Sequence, residues 1–344
     1  MNPFFAYHPR MMAYDFGPGH PLKPVRLKMT VALLETFGWR TEDPGPGEQA
    51  DVERVHDAAY VEIVRAASDN PESVQRDDLF AAGFGAGDNP AFPGMFEASL
   101  AYVAGSAAAA SAVRDGANLA FGIAGGLHHA RRAQASGFCV FNDCAVACSI
   151  LRERFERVAY IDIDVHHGDG VQWIFYEDPT ILTCSIHQDG RTLYPGTGGV
   201  EEIGAEGSSV NVPLMPGTTG DTWLWAFREG ILPYVERFQP RAIVLQMGCD
   251  AHETDPLARI RCSVQEWLAA VQIVRDLNLP IVALGGGGYD LNNVSRMWTA
   301  ACLTLSKQDA DIAQFYDPEL PQPREQGREA AEAAVRALHR LHAL

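Results

Sequence analysis

The sequence predicts an α/β fold: a single domain on an open, mostly parallel sheet with helices covering both faces. Three observations carry that expectation. Short apolar, β-branched runs recur along the chain, segments of helical character separate several of them, and polar side chains suited to chemistry gather just past the runs. Strands alternating with helices imply parallel crossovers, and a parallel sheet is buried on both faces. Ligands of such a sheet bind in the crevice outside the carboxyl ends of its strands, where long loops form the site.

The strands are expected at 118–123, 158–163, 181–186, 242–247 and 281–284, each followed by Gly, His, Asp or Ser. Helical segments fall at 95–113, 144–154, 222–238 and 264–277. Asn142 and Ser263 stand where N-caps of two of these helices belong. The Gly/Pro-rich connections 83–94 and 189–207 exceed ordinary loop lengths and are expected to wall the pocket. Residues 1–316 read as one domain. Residues 317–344 read as a proline-rich linker, 318–323, followed by an Ala/Arg/Glu-rich helix packed peripherally on it.

Composition narrows the class. Of 344 residues, 47% are hydrophobic and 21% charged, as in globular proteins. No apolar run approaches the roughly 18 residues of a membrane span, and the first turns of chain lack the apolar core of a secretory signal. A soluble, cytoplasmic protein without membrane partners is expected; the oligomeric state is left open. Seven cysteines form no Cys-x-x-Cys pair, and most sit in apolar runs, so buried free thiols are expected rather than disulfides. A net charge of −17 argues against nucleic acid, which needs clustered Lys and Arg, and favours cationic substrates.

The segment Tyr160-Ile161-Asp162-Ile163-Asp164-Val165-His166-His167-Gly168-Asp169-Gly170 concentrates carboxylates and imidazoles directly after an apolar run. Strand alternation is expected to send Asp162, Asp164 and His166 to one side. An Asp-x-His pair combines a hard oxygen with a borderline nitrogen, which suits Zn²⁺ or Fe²⁺. A third ligand would leave a coordination position open for catalysis. Asp250, immediately past the run 242–247, is preferred over Asp255, which follows a turn-like His-Glu-Thr and precedes Pro256.

Two more run ends carry chemistry. In Gly125-Gly126-Leu127-His128-His129, adjacent imidazoles are matched to proton transfer near neutral pH. Each needs an orienting carboxylate, and Asp162 and Asp169 are spare. Gly285-Gly286-Gly287-Gly288-Tyr289 lets backbone approach a ligand closely and ends in a phenol able to donate to an oxyanion. No Gly-Lys-Ser/Thr follows, so it is not a phosphate loop.

Together with Ala135-Ser136-Gly137-Phe138-Cys139 after the paired histidines, and with Pro195-Gly196-Thr197-Gly198, these segments resemble the zinc-dependent histone deacetylases, most closely the bacterial acetoin-utilisation-type branch. The resemblance covers about 14–303. It implies the arginase/deacetylase-like fold and hydrolysis of Nε-acetyl-lysine in proteins or peptides. It implies Zn²⁺ on Asp164, His166 and Asp250, with Fe²⁺ accepted by the same ligands. Proton handling would fall to His128 with Asp162 and His129 with Asp169, and amide polarisation to Tyr289.

The same resemblance implies a tunnel walled by Gly137, Phe138, Tyr194 and Leu257, a rim carboxylate at Asp88, and an acetate channel at Arg26. Tyr194 departs from the usual Phe. A structural K⁺ would sit near Asp162, Asp164, His166, Ser185 and Ile186. Lys23 is kept from an inositol-phosphate site of eukaryotic relatives, but Pro256 and Asn292 stand where arginines would be, so that regulation is expected to be absent. The alternative substrate is an acetylated polyamine or other small acetylamine. A binuclear arginase-type centre would need a carboxylate where Gly168 stands.

Overall fold

Seven strands pair into one sheet, every pair parallel: β1 (Phe4–Phe5), β2 (Leu119–Gly122), β3 (Val158–Asp162), β4 (Ile181–Gln188), β5 (Ser209–Leu214), β6 (Ala242–Gln246) and β7 (Ile281–Leu284). Their order is β1-β2-β7-β6-β3-β4-β5. The computed structural model describes residues 3–320 and 323–343; Pro321 and Gln322, from the proline-rich stretch, lie outside the described residues. The five strands expected from the sequence are present, each within a few residues of its expected bounds. The two additional strands lie at the edges, where β1 is only two residues long and β5 carries Pro213. A proline is tolerated there because an edge strand does not need every N–H.

The expected helix over 222–238 is two helices, Gly220–Gly230 and Leu232–Phe238, broken at Ile231. Pro233 lacks the N–H that would bond the carbonyl of Glu229. That carbonyl is met instead by His339 Nε2 at 2.9 Å. His339 belongs to the helix Arg328–Leu341, which buries Ala331, Val335 and Leu338 against β5 and the helix Gly220–Gly230.

One expectation about apolar runs is corrected. The helix Met95–Arg114 is 20 residues long and apolar enough, by length and composition, to cross a membrane. Its small side chains instead pack it against β2 and the helix Asp143–Arg152, with 78% of the apolar window buried inside the fold. All seven cysteines are buried and free.

Register sets up the site. Asp162 pairs with Gln246 and with Ser185, Gln246 pairs with Leu284, and Leu284 pairs with Gly122. Four adjacent central strands therefore end at one level, and the loops after them emerge side by side.

Candidate active site

The loop after β2 carries His128 and His129, and it is held from beneath. Asn142 caps the helix Asp143–Arg152 by accepting from Ala145 N, and its amide donates to the carbonyls of His128 and Ala130 at 3.0 and 2.9 Å. Asp143 accepts the N–H groups of Gly126 and Leu127, both at 2.8 Å. His56 Nε2 in turn accepts the N–H of Asn142 at 2.8 Å.

Both histidines are buried and each meets its own carboxylate. His128 Nδ1 lies 2.7 Å from Asp162 Oδ2, and His129 Nδ1 lies 2.7 Å from Asp169 Oδ1. Their Nε2 atoms are 3.0 Å apart. On the protein groups alone, burial opposes a charge on His128, but Asp162 and Asp164 outweigh it and push the imidazole up to about 9. Burial and the neighbouring His128 push His129 down to about 4. At neutral pH, His128 thus carries the proton while His129 keeps a lone pair on Nε2, its Nδ1–H being committed to Asp169.

The three expected metal ligands converge. One ligand atom from each of Asp164, His166 and Asp250, all buried, lies within 4.8 Å of the others. His166 Nδ1 is 3.1 Å from Asp164 Oδ1 and 3.0 Å from Asp250 Oδ2. Burial and the charge of Asp164 push the Asp250 carboxyl up to about 6. Two buried carboxylates crowding one imidazole suit a divalent cation, which would relieve their repulsion. No other such group of ligands occurs among the described residues. Asp255 stays out of it: its carboxylate accepts the N–H of Leu257 at 3.0 Å and of Tyr289 at 2.8 Å.

Glycine makes this crowding feasible. A Cβ on Gly287 would stand 2.1 Å from Asp250 Oδ2, and one on Gly137 would stand 2.4 Å from the ring of His129. The Gly287 N–H instead donates to Asp164 Oδ2 at 2.7 Å. A narrow slot above the cluster is lined by His128, His129, Gly137, Phe138, Gly287 and Tyr289. A roomier cavity of about 520 Å³ lies between the Tyr194 loop and the C-terminal helix, away from these groups.

The histone deacetylase domain profile matches residues 20–305. The chain belongs to the histone deacetylase family. It is 36% identical over 323 residues to histone deacetylase clr6 of Schizosaccharomyces pombe, covering 89% of this chain and 79% of that protein. It is 37% identical over 317 residues to histone deacetylase 19 of Arabidopsis thaliana, covering 89% of this chain but only 63% of that one, less than two thirds. An HDAC homologue solved in complex with SAHA superposes with a TM-score of 0.88 at 26% identity, over 98% of this chain and all of the other. An acetylpolyamine aminohydrolase from Burkholderia pseudomallei gives 0.79 at 27% identity, over 89% and 98%.

Phe138 and Tyr289 meet edge-to-face at 5.9 Å between ring centroids, and the Tyr194 ring stands edge-on to His129 at 5.0 Å. The Tyr194 hydroxyl hydrogen-bonds to Ser136 Oγ. Exposed Asp88 and half-buried Leu257 share a shallow rim with His20 and Phe138. Arg26 is buried, donates to the Gly288 carbonyl at 3.1 Å and stacks on Trp298. Ser185 lies beside Asp162 in the sheet, with its hydroxyl 2.8 Å from His187 Nδ1, and Ile186 is buried next to it.

One expectation about local geometry fails. Strand β3 ends at Asp162, so alternation does not carry Asp164 and His166 to its side. Their placement comes from a tight turn in which Asp162 Oδ1 accepts Asp164 N and Asp164 Oδ1 accepts His166 N, both at 3.0 Å. Sequence reasoning also missed Gln246, whose amide donates to Asp164 Oδ2 at 2.8 Å, and Tyr160, whose hydroxyl donates to Asp162 Oδ2 at 2.6 Å. A glutamine inside an apolar strand was the available signal.

Proposed function

We propose that this protein hydrolyses the Nε-acyl amide of acetyl-lysine in proteins or peptides, releasing lysine and acetate, as a Zn²⁺-dependent member of the acetoin-utilisation-type bacterial branch. The observation that carries the reading is the convergence of Asp164, His166 and Asp250 beneath two separate His–Asp dyads. A divalent ion on those ligands would polarise the acyl carbonyl and lower the pKa of a water. Fe²⁺ would serve the same ligands.

The roles of the side chains follow from their partners. His129, neutral and oriented by Asp169, accepts the proton of the attacking water and returns it to the departing amine. His128, held charged by Asp162, stabilises the negative charge that develops beside it. Tyr289 donates to the oxyanion of the substrate. Gly137, Phe138, Tyr194 and Leu257 enclose the lysine methylenes, Asp88 accepts from the substrate backbone, and Arg26 serves departing acetate. A structural K⁺ near Asp162, Asp164, His166, Ser185 and Ile186 belongs to the same reading, as do a cytoplasmic location and the tail beyond residue 316 as an appendage.

The second reading is deacetylation of acetylated polyamines. It is favoured by the likeness to the acetylpolyamine aminohydrolase and by the net charge of −17, which attracts polycations. Comparing kcat/KM for an acetyl-lysine peptide with that for acetylspermidine decides between them. A higher value for the peptide supports the first reading, and preference for acetylspermidine replaces it with the second.

A further inference from the structure

At the opposite end of the sheet from the metal ligands, a cavity of about 320 Å³ opens among Arg157, Leu182, Ser208, Tyr234, Arg237 and Phe238. Arg157 and Ser208 immediately precede β3 and β5, so the cavity sits at the amino ends of the strands. Several of its polar groups lack partners. Arg157 Nε, Ser208 Oγ and Tyr234 OH are buried without a hydrogen bond, and so are both ring nitrogens of His342, whose ring packs on Tyr234 at 4.8 Å. Ser208, Tyr234 and His342 are only 4%, 2% and 8% exposed. Buried, unpaired polar groups are destabilising, and their concentration at one cavity points to a ligand that satisfies them.

The charges indicate which kind. Arg157 and Arg237 both line the cavity, and neither forms an ion pair with a carboxylate among the described residues. Arg237 uses one N–H on the His342 carbonyl at 3.0 Å, and the two guanidiniums lie over the rings of Tyr234 and Phe238. Glu206, exposed at the mouth, is the lone carboxylate among the lining residues. Paired guanidiniums with hydroxyl donors match the oxygens of a phosphate, and Leu182 and Phe238 add apolar lining beside them.

We propose that this cavity binds a phosphate-class oxyanion, either inorganic phosphate or the head of a small phosphate monoester whose body lies on Leu182 and Phe238. The site is separate from the catalytic slot and from Lys23, which donates to the Gly17 carbonyl at 3.2 Å. It does not depend on the substrate assigned above.

Calorimetry on the metal-loaded full chain, with the catalytic slot blocked by a hydroxamate, tests it with inorganic phosphate and with phenyl phosphate. Saturable binding of one anion per chain is expected. Equal affinities identify a free-phosphate site, and tighter phenyl phosphate binding identifies a monoester site. Arg157→Gln, and separately the mild pair Ser208→Ala with Tyr234→Phe, should each weaken binding by about tenfold while leaving acyl-lysine turnover unchanged. Absence of saturable binding to the blocked protein, or affinity unaltered in both variants, overturns the proposal.

Discussion

Asp255 Oδ2 accepts the backbone N–H of Tyr289 at 2.8 Å, while Oδ1 of the same carboxylate accepts that of Leu257 at 3.0 Å. One buried side chain therefore fixes both the phenol-bearing loop and the tunnel rim. Asp255→Asn can accept only one of the two bonds. It is expected to lower kcat for acetyl-lysine hydrolysis by roughly tenfold, with metal content unchanged. Loss of the metal would instead mark Asp255 as a ligand.

Tyr289→Phe keeps the ring against Phe138 and removes only the hydroxyl. Turnover should fall roughly a hundred- to a thousandfold, the cost of losing an oxyanion donor, with KM little changed. Steady-state kinetics on a fluorogenic acetyl-lysine peptide checks this. Wild-type turnover in the variant would remove Tyr289 from the chemistry.

The Tyr194 hydroxyl is tethered to Ser136 while its ring packs against His129. Tyr194→Phe frees the wall while leaving the ring beside His129. KM for the acyl-lysine peptide should rise severalfold with kcat retained, the signature of lost uniform binding. Unaltered KM would show that the tether does not shape the tunnel.

His56 predicts an acid-sensitive support. Burial pushes it down to about 4, and its neutral Nε2 accepts Asn142 N. A histidine depressed in the folded state binds its proton more tightly when unfolded. The stability it contributes is complete above pH 6.5 and is lost as pH falls from there towards 4, to the extent of about 3 kcal/mol. Denaturation followed across that window should show the loss, and His56→Gln should flatten it. An unchanged slope in the variant would assign the effect elsewhere.

The central architecture was legible because it rests on local patterns. Apolar runs followed by Gly, His and Asp marked the strand ends, and Asn142 and Ser263 capped the helices they were assigned. The paired histidines and the Asp164–His166–Asp250 cluster were legible for the same reason. What escaped depends on partners distant in sequence. Gln246 reads as a polar interruption of β6 until Asp164, 82 residues away, is seen beneath it. Asp255 was rightly set aside as a ligand in favour of Asp250, but its actual partners, the N–H groups of Leu257 and Tyr289, were not legible from spacing. The edge strand β1, two residues long, carried too few residues for a periodicity, and the break at Ile231 depended on one proline within an otherwise helical pattern.

The most direct test is metal content measured alongside acetyl-lysine hydrolysis in the wild type and in Asp250→Ala. One divalent ion per chain, lost together with activity in the variant, is the predicted result. Two ions per chain, or full hydrolysis by metal-free protein, would contradict a single cation held by Asp164, His166 and Asp250.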